Sequence, residues 1–297
     1  MIRNLFMCAG AMKAGTSWLY HTMRHHPQVH FSWLKEIHYF SHQANISNSL
    51  RPENRENRGR NKIVKLGRQL RQNKISQEEF RDGIAWYKNY MVGELSDAWY
   101  QNLFEAEKMR DAEQFCADFS NLSCFLDEAG WSHVRSLTEN LKVIYILRDP
   151  VKRLWSHYKF HLLFIDHDGK ETPDKDIELF SKFIARKQNI RNAKYSENIG
   201  RLRESLHESE FQIFYLDDFS TLPLETLNKL HRFLEISDYS YPGIDLNKKR
   251  NSSIEIDLPK EWMGYVKEVL DEEIATLKAS GLFREEWTDF RCDQTQP

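Results

Sequence analysis

The stretch "NLFMCAGAMKAGTSWLYHTMR" (4–24) joins an apolar run to a loop flanked by Gly10 and Gly15, then to an amphipathic pattern halted before Pro27. The apolar run (4–9) reads as a buried strand and the segment from about Thr16 to Arg24 as a helix. A strand that ends in such a loop and opens a helix creates an anion site. The first helical N–H groups lack partners, and the helix dipole adds roughly half a positive charge at that end. Glycine permits backbone conformations closed to other residues and lets an anion approach the chain closely. Gly10 and Gly15 have the separation of the nucleotide-hydrolysing P-loop G-x-x-x-x-G-K-[ST], yet Thr16 stands in the lysine position and Lys13 lies inside the loop. Lys13 then enters from the loop itself, suited to a shorter phosphate chain than a triphosphate with magnesium. Thr16 and Ser17 add hydroxyl donors at the helix start.

The same alternation recurs downstream. "EQFCADF" (113–119), "KVIYILR" (142–148) and "FQIFYLDDF" (211–219) read as strands. "VKRLWSHYKFHLLF" (151–164) sets Val151, Leu154, Trp155, Tyr158 and Leu162 on one helical face. Leu224, Leu227, Leu230 and Leu234 mark another helix, and a last one is expected from about Pro259 to Ser280, stopped by Gly281. Strands alternating with helices imply βαβ units, an α/β class and a parallel sheet. The 297 residues, 40% hydrophobic, suffice for a single domain over 1–297. A polar, basic insertion at about 45–76 interrupts the pattern. Nine basic residues lie between Arg51 and Lys74 against Glu53 and Glu56. This segment reads either as a solvated loop leading into an exposed helix near 62–73, or as a basic rim that attracts an anionic substrate.

A second anion grip stands at another strand-to-helix turn. "VIYILRDPVKRLWSHY" ends its strand in Arg148, turns through Asp149-Pro150 and continues into a helix carrying Ser156. Asp149 before proline suits a helix cap better than a magnesium ligand. Arg148, at the carboxyl end of a strand, points into the crevice where open α/β sheets bind ligands, and a guanidinium there suits bidentate phosphate binding.

Composition excludes several classes. Lysine plus arginine is 42 and aspartate plus glutamate 44, a net charge of −2, which argues against a nucleic-acid partner. Cys8, Cys116, Cys124 and Cys292 form no C-x-x-C pair, so neither a zinc site nor a disulfide framework is expected; Cys8 and Cys116 lie in apolar runs as core residues. No run approaches the roughly 18 apolar residues of a membrane span, and the N-terminus lacks a signal-peptide pattern. A soluble protein in a reducing cytoplasm fits these features.

With both turns in view, the sequence resembles the sulfotransferases that use 3′-phosphoadenosine 5′-phosphosulfate (PAPS), and most resembles the branch of heparan-sulfate sulfotransferases and their bacterial relatives. "AMKAGTSWL" is similar to the family's 5′-phosphosulfate loop and "LRDPVKRLWSHY" to its 3′-phosphate motif. "KEIHYFS" (35–41) resembles the branch's K-E-x-H-F-F segment; "DAWYQNLF" (97–104) and "ADFSNLSCF" (117–125) match more loosely. The resemblance implies a P-loop-like three-layer αβα sandwich around a central parallel sheet. It implies that Lys13, Ala14, Gly15, Thr16, Ser17 and Trp18 surround the 5′-phosphosulfate and that Arg148 and Ser156 hold the 3′-phosphate. Lys249 and Arg250, in "NKKRNSS" (247–253), stand where relatives supply further contacts.

Sulfuryl transfer needs a cation for the departing phosphate oxygen and a group that takes the acceptor's proton. Lys13 suits the first task, the helix dipole assists it, and no metal is required. For the second, Glu36 and His38 are two residues apart, a spacing that in a strand would put both on one face. The branch resemblance favours Glu36 as the base; His38 stays open. Lys35 either holds the anion or faces solvent. Ser41, Asp118 and Asn121 depart from the branch pattern on the acceptor side. The acceptor implied is a saccharide or small natural product with a free hydroxyl or amine; Trp86, Tyr87, Trp99 and Tyr100 are read as core rather than as its platform. The alternatives are a P-loop kinase or NTPase and a non-catalytic nucleotide-binding protein.

Overall fold

The computed structural model describes residues 1–104, 114–164, 174, 176–248 and 256–287. The chain opens with β1 (Ile2–Gly10), α1 (Thr16–Met23), β2 (Val29–Phe31) and α2 (Tyr39–Gln43). Next come α3 (Pro52–Arg71), α4 (Gln77–Val92), α5 (Asp97–Asn102), β3 (Phe115–Asp118) and α6 (Glu128–Ser136). Then follow β4 (Thr138–Leu147), α7 (Pro150–Phe164), α8 (Ile177–Ala185), α9 (Lys187–Arg191) and α10 (Tyr195–Ser205). The described part closes with β5 (Phe211–Tyr215), α11 (Leu216–Thr221), α12 (Pro223–Leu234) and α13 (Met263–Ala279).

The five strands form one sheet in the order β2-β3-β1-β4-β5, and every pairing is parallel. Helices cover both faces, as the α/β sandwich expectation requires. Strands buried on both faces read as near-continuous apolar runs, which is why β1 and β4 were legible in sequence. From Leu5 to Ala9 every β1 side chain is at 0% exposure, Cys8 included. β2 escaped notice because three residues carry no periodicity. The run expected as strand to 219 stops at Tyr215, where Asp217 and Asp218 fall in the first turn of α11 and favour the amino end of a helix.

The sheet order matters for function. The chain leaves β1 toward β2 on one side and leaves β4 toward β5 on the other, so the loops after β1 and β4 diverge from adjacent strands. That divergence opens a crevice at the carboxyl ends of these strands. A second apolar cluster fixes the far side of α7. Val151, Leu154, Trp155 and Tyr158 pack there with Phe180 and Phe183 of α8 and with Trp262, Val266 and Leu270. The apolar stripe expected on 151–164 is therefore buried, and the opposite face of α7 is left for the crevice.

The basic segment differs from its expected form. It is a 20-residue helix, α3, rather than a loop followed by a short exposed helix. Pro52 opens it. It lies antiparallel on α4, with Gly59 against Met91 and Leu66 against Gly83. Ser76 and Glu79 form a reciprocal capping box that starts α4 and fixes the turn between the two helices. Trp86, Tyr87, Trp99 and Tyr100 are buried, in keeping with a core role.

Candidate active site

The loop after β1 is shaped by two close approaches. Gly15, which caps α1, has φ +86°, and a Cβ there would lie 2.4 Å from Leu216 Cδ1. Gly10 lies against the ring of Tyr145, whose Cε2 would sit 2.6 Å from an added Cβ. Lys13 itself is left-handed, with φ 71°, and Ala14 is fully buried beneath the loop. This geometry turns the chain over the ends of β1 and β4 and aims the amino end of α1 into the crevice.

The second turn meets the first. Arg148 donates from Nη1 to the Lys13 carbonyl at 2.9 Å. Asp149 accepts from the amides of Val151 and Lys152 at 2.9 and 3.1 Å, so it caps α7 as expected. Ser156 is buried on α7, one turn before Phe160. The Lys13 ammonium lies 4.3 Å from the Phe160 ring centroid, a cation–π contact with the same helix. Burial, followed by the charges of Arg148, Lys35 and Lys159, pulls the Lys13 pKa from its ordinary 10.5 down to about 8. Burial likewise lowers Arg148. Buried cations with altered proton affinity in a crevice mark this as a candidate site.

Lys35 supplies a link between the loop and the expected base. Its ammonium donates to Thr16 Oγ1 at 2.9 Å, to Ser17 Oγ at 3.2 Å and to Glu36 Oε1 at 2.9 Å. Lys35 is thus turned in toward the loop rather than out to solvent. The strand geometry expected for Glu36 and His38 is corrected here. Residues 32–38 form an irregular segment, and His38 adopts φ 65° before α2. The two side chains nevertheless meet, with His38 Nε2 3.3 Å from Glu36 Oε2. Burial would raise the Glu36 pKa, but the His38 hydrogen bond and the Lys35 charge outweigh it and hold the carboxyl down to about 2.

Asp118 explains how an irregular segment is held. Its carboxylate accepts from the Ile37 amide at 3.5 Å, the Ser120 amide at 3.1 Å and the Ser120 hydroxyl at 2.6 Å. Tyr100 adds a hydroxyl donor at 3.3 Å, and Ser120 Oγ accepts the His38 amide at 2.8 Å. Ser41 is buried and donates to the His38 carbonyl at 3.2 Å. The departures Asp118 and Ser41 therefore brace the Glu36–His38 segment from behind.

Trp18, expected near the 5′-phosphosulfate, lies in the first turn of α1 directly after the loop. Its indole N–H donates to the Leu246 carbonyl at 3.1 Å and its ring packs on Phe219 at 5.5 Å. Lys249 and Arg250 lie outside the described residues. Sequence reasoning missed the individual contributions of Arg58, Lys62 and Phe160. Arg58 of α3 donates to the Glu36 carbonyl at 2.8 Å. Lys62 follows one turn later on the same inward face. Burial lowers its pKa, Arg58 and Lys65 lower it further, and the Glu36 charge opposes the shift. Their periodic spacing, Arg55-Arg58-Lys62-Leu66, was the available signal: cations on the stripe that carries Leu66 into the core.

Among the described residues no group of three His, Cys, Asp or Glu side chains converges as a metal site, and no helix is long and apolar enough to cross a membrane. Residues 4–251 match the sulfotransferase domain family. The structure is similar to that of a sulfotransferase from Alicyclobacillus acidocaldarius, with a TM-score of 0.63 and 18% identity over 97% of this chain and 100% of that one. It is also similar to the sulfotransferase domain of the Synechococcus PCC 7002 olefin synthase, at TM-score 0.52 and 13% identity over 91% and 95% of the two chains. The sulfotransferase domain from the curacin biosynthetic pathway gives TM-score 0.52 and 14% identity over 96% and 95%. At these identities the likeness is one of fold. No curated protein sequence matches the chain.

Proposed function

The chain belongs to the sulfotransferase family, and from that premise we propose that it transfers a sulfuryl group from PAPS to a hydroxyl or amine of a saccharide or small natural-product acceptor. The observation that carries this reading is the Lys35 ammonium, which touches both the Thr16 and Ser17 hydroxyls of the anion loop and the Glu36 carboxylate. Donor site and proton acceptor are thereby adjacent, as an in-line displacement demands.

The donor set fits the cofactor. The amino end of α1, Lys13, Thr16 and Ser17 suit a 5′-phosphosulfate, and Gly15 lets the loop reach that helix end in a left-handed conformation packed on Leu216. Arg148 and Ser156 suit a 3′-phosphate, with Lys249 and Arg250 assigned further contacts to the cofactor. When bound, PAPS supplies an electrophilic sulfur and a phosphate leaving group. Glu36 takes the acceptor's proton as the acceptor oxygen or nitrogen bonds to sulfur. Lys13 neutralises the charge that grows on the departing phosphate oxygen as the S–O bond breaks. Removing one such preorganised donor typically costs about 10²–10³ in rate.

Glu36 is a weak base while Lys35 and His38 both hold it. Lys35 shifting its donation toward the sulfuryl oxygens raises the basicity of Glu36 at the point of reaction. His38, fixed at 3.3 Å, orients the carboxylate. Arg58 and Lys62 wall the acceptor side with positive charge, which favours an acceptor bearing an acidic group near its nucleophile.

Thermal denaturation with ligands tests the reading. A ligand at 100 times its dissociation constant adds about 2.7 kcal/mol of stability. 3′-Phosphoadenosine 5′-phosphate (PAP) is expected to raise the melting temperature clearly and ATP with Mg²⁺ to raise it little. The reverse order would favour a kinase or NTPase, and a PAP shift without sulfuryl transfer to any of a broad acceptor panel would favour a non-catalytic binder.

A further inference from the structure

Phe160 of α7 meets Lys13 of the loop, and Arg153 and Ser156 precede it at helical spacing on α7. Arg153 is at 0% exposure, and its Nε, Nη1 and Nη2 all lack a hydrogen-bond partner among the described residues. Nearby stand the hydroxyls of Tyr145 and Tyr195, the Arg148 guanidinium and the Glu273 carboxylate. None of these neutralises it. The Tyr145 hydroxyl accepts from Asn198 Nδ2 at 3.3 Å. Glu273 is taken up by the Ser196 amide and hydroxyl, at 2.8 and 2.6 Å. Arg148 is a further positive charge. His157, whose ring packs on Phe183, is held neutral: burial, then Arg153, His161 and Lys13 push its pKa down to about 2.

A buried guanidinium without a counterion opposes folding, and well-packed apolar replacements of buried charges are often neutral or stabilising. Arg153 stands one turn into α7 beyond Arg148, its amide bonded to the Asp149 carbonyl at 2.9 Å, and three residues before Ser156. Residues at that helical spacing are neighbours. The missing counter-charge therefore belongs at the phosphate assigned to Arg148 and Ser156.

We propose that Arg153 is a positioning residue for the donor nucleotide: a buried positive charge, left unneutralised by the described residues, whose counterion is the phosphate gripped by Arg148 and Ser156. It acts through its field, behind the residues that touch the ligand. This rests on the PAPS reading, since a dianionic 3′-phosphate is the group that balances two guanidinia. Interactions in such a low-dielectric setting are screened far less than at the surface.

The test measures PAP binding by calorimetry and the melting temperature of the ligand-free protein for the wild type, Arg153→Met and Arg153→Lys. Arg153→Met is expected to keep or raise the ligand-free melting temperature while weakening PAP about tenfold or more, close to 1.4 kcal/mol. The same variant is expected to weaken adenosine 5′-monophosphate, which lacks the 3′-phosphate, much less. Arg153→Lys is expected to restore PAP affinity to within about threefold of wild type. A lowered melting temperature with unchanged PAP affinity in Arg153→Met would make the residue structural and overturn the proposal. So would an Arg153→Lys variant as weak as Arg153→Met, because then fork geometry and not charge is what counts. If Arg153→Met does not fold, Arg153→Gln carries the same comparison. Failure of the wild type to bind PAP overturns the cofactor reading itself, an outcome separate from wild-type binding that is indifferent to Arg153.

Discussion

The Arg148 guanidinium donates to the Lys13 carbonyl at 2.9 Å, across 135 residues of sequence. This bond turns two anion grips into one site, because β1 and β4 are neighbours in the sheet and their loops leave in opposite directions. Positive charges that crowd together here depress each other's proton affinity, and the consequences are measurable.

PAP affinity is expected to fall above pH 8. Lys13, held at about 8 against an ordinary 10.5, must be charged to meet a phosphate. Binding therefore takes up a proton between those values, and affinity drops by up to about tenfold per pH unit. In the ligand-free protein the sign is opposite. The unfolded chain binds the extra proton in that window, so the Lys13 contribution makes stability rise with pH. Calorimetry in buffers of different ionisation enthalpy reads the proton uptake directly, and Lys13→Gln should abolish it.

Glu36→Gln is expected to lose about 10²–10⁴ in turnover, the usual contribution of a positioned general base, while PAP affinity stays near wild type. Single-turnover sulfuryl transfer paired with PAP titration separates the two. Unchanged turnover would move the proton to His38.

Lys35→Met should shift the acid limb of the rate profile upward in pH. Lys35 and His38 together hold Glu36 at about 2, so losing the lysine charge raises the carboxyl toward its ordinary range. The pH at which half of kcat/KM is lost on the acid side reports this. A limb that stays in place would mean that Glu36 is not the titrating group.

Gly15→Ala meets two obstacles: a left-handed backbone at φ +86° and Leu216 Cδ1 at 2.4 Å. Together they are expected to cost about 1–3 kcal/mol of stability and to displace the anion loop. Adding Leu216→Ala should recover the steric part alone, leaving the backbone part. Urea melts of the single and double variants distinguish them.

Lys62→Gln is expected to raise KM for a uronic-acid acceptor several-fold while leaving PAP affinity and KM for the matching neutral sugar unchanged. Equal KM changes for both acceptors would remove Lys62 from the acceptor wall.

Much of this was legible in sequence because parallel strands are buried on both faces and so appear as unbroken apolar runs: β1, β3 and β4 stood out, and β2, with three residues, did not. The anion loop was legible because Gly10, Gly15 and Lys13 are local. The Asp149 cap on α7 was legible for the same reason. Glu36 and His38 were found by type and nearness, but the strand assumed for them was wrong. What holds that segment is Asp118, which reaches it from β3. The partners of Trp18, the Phe219 ring and the Leu246 carbonyl, were not legible because they lie more than 200 residues away in sequence.

The sequence by itself determined the α/β class, the two strand-to-helix turns and the residue types that grip anions, because these depend on periodicity and on backbone groups within a few residues. Tertiary structure alone decided that Lys35 bridges the loop after β1 to Glu36, that α3 lays Arg58 on the Glu36 carbonyl, and that Arg153 is buried with no hydrogen-bond partner for its guanidinium among the described residues. Each of these depends on which distant segments share a boundary. Burial and neighbouring charge, set by that arrangement, convert ordinary lysine, glutamate and arginine side chains into groups with altered proton affinity.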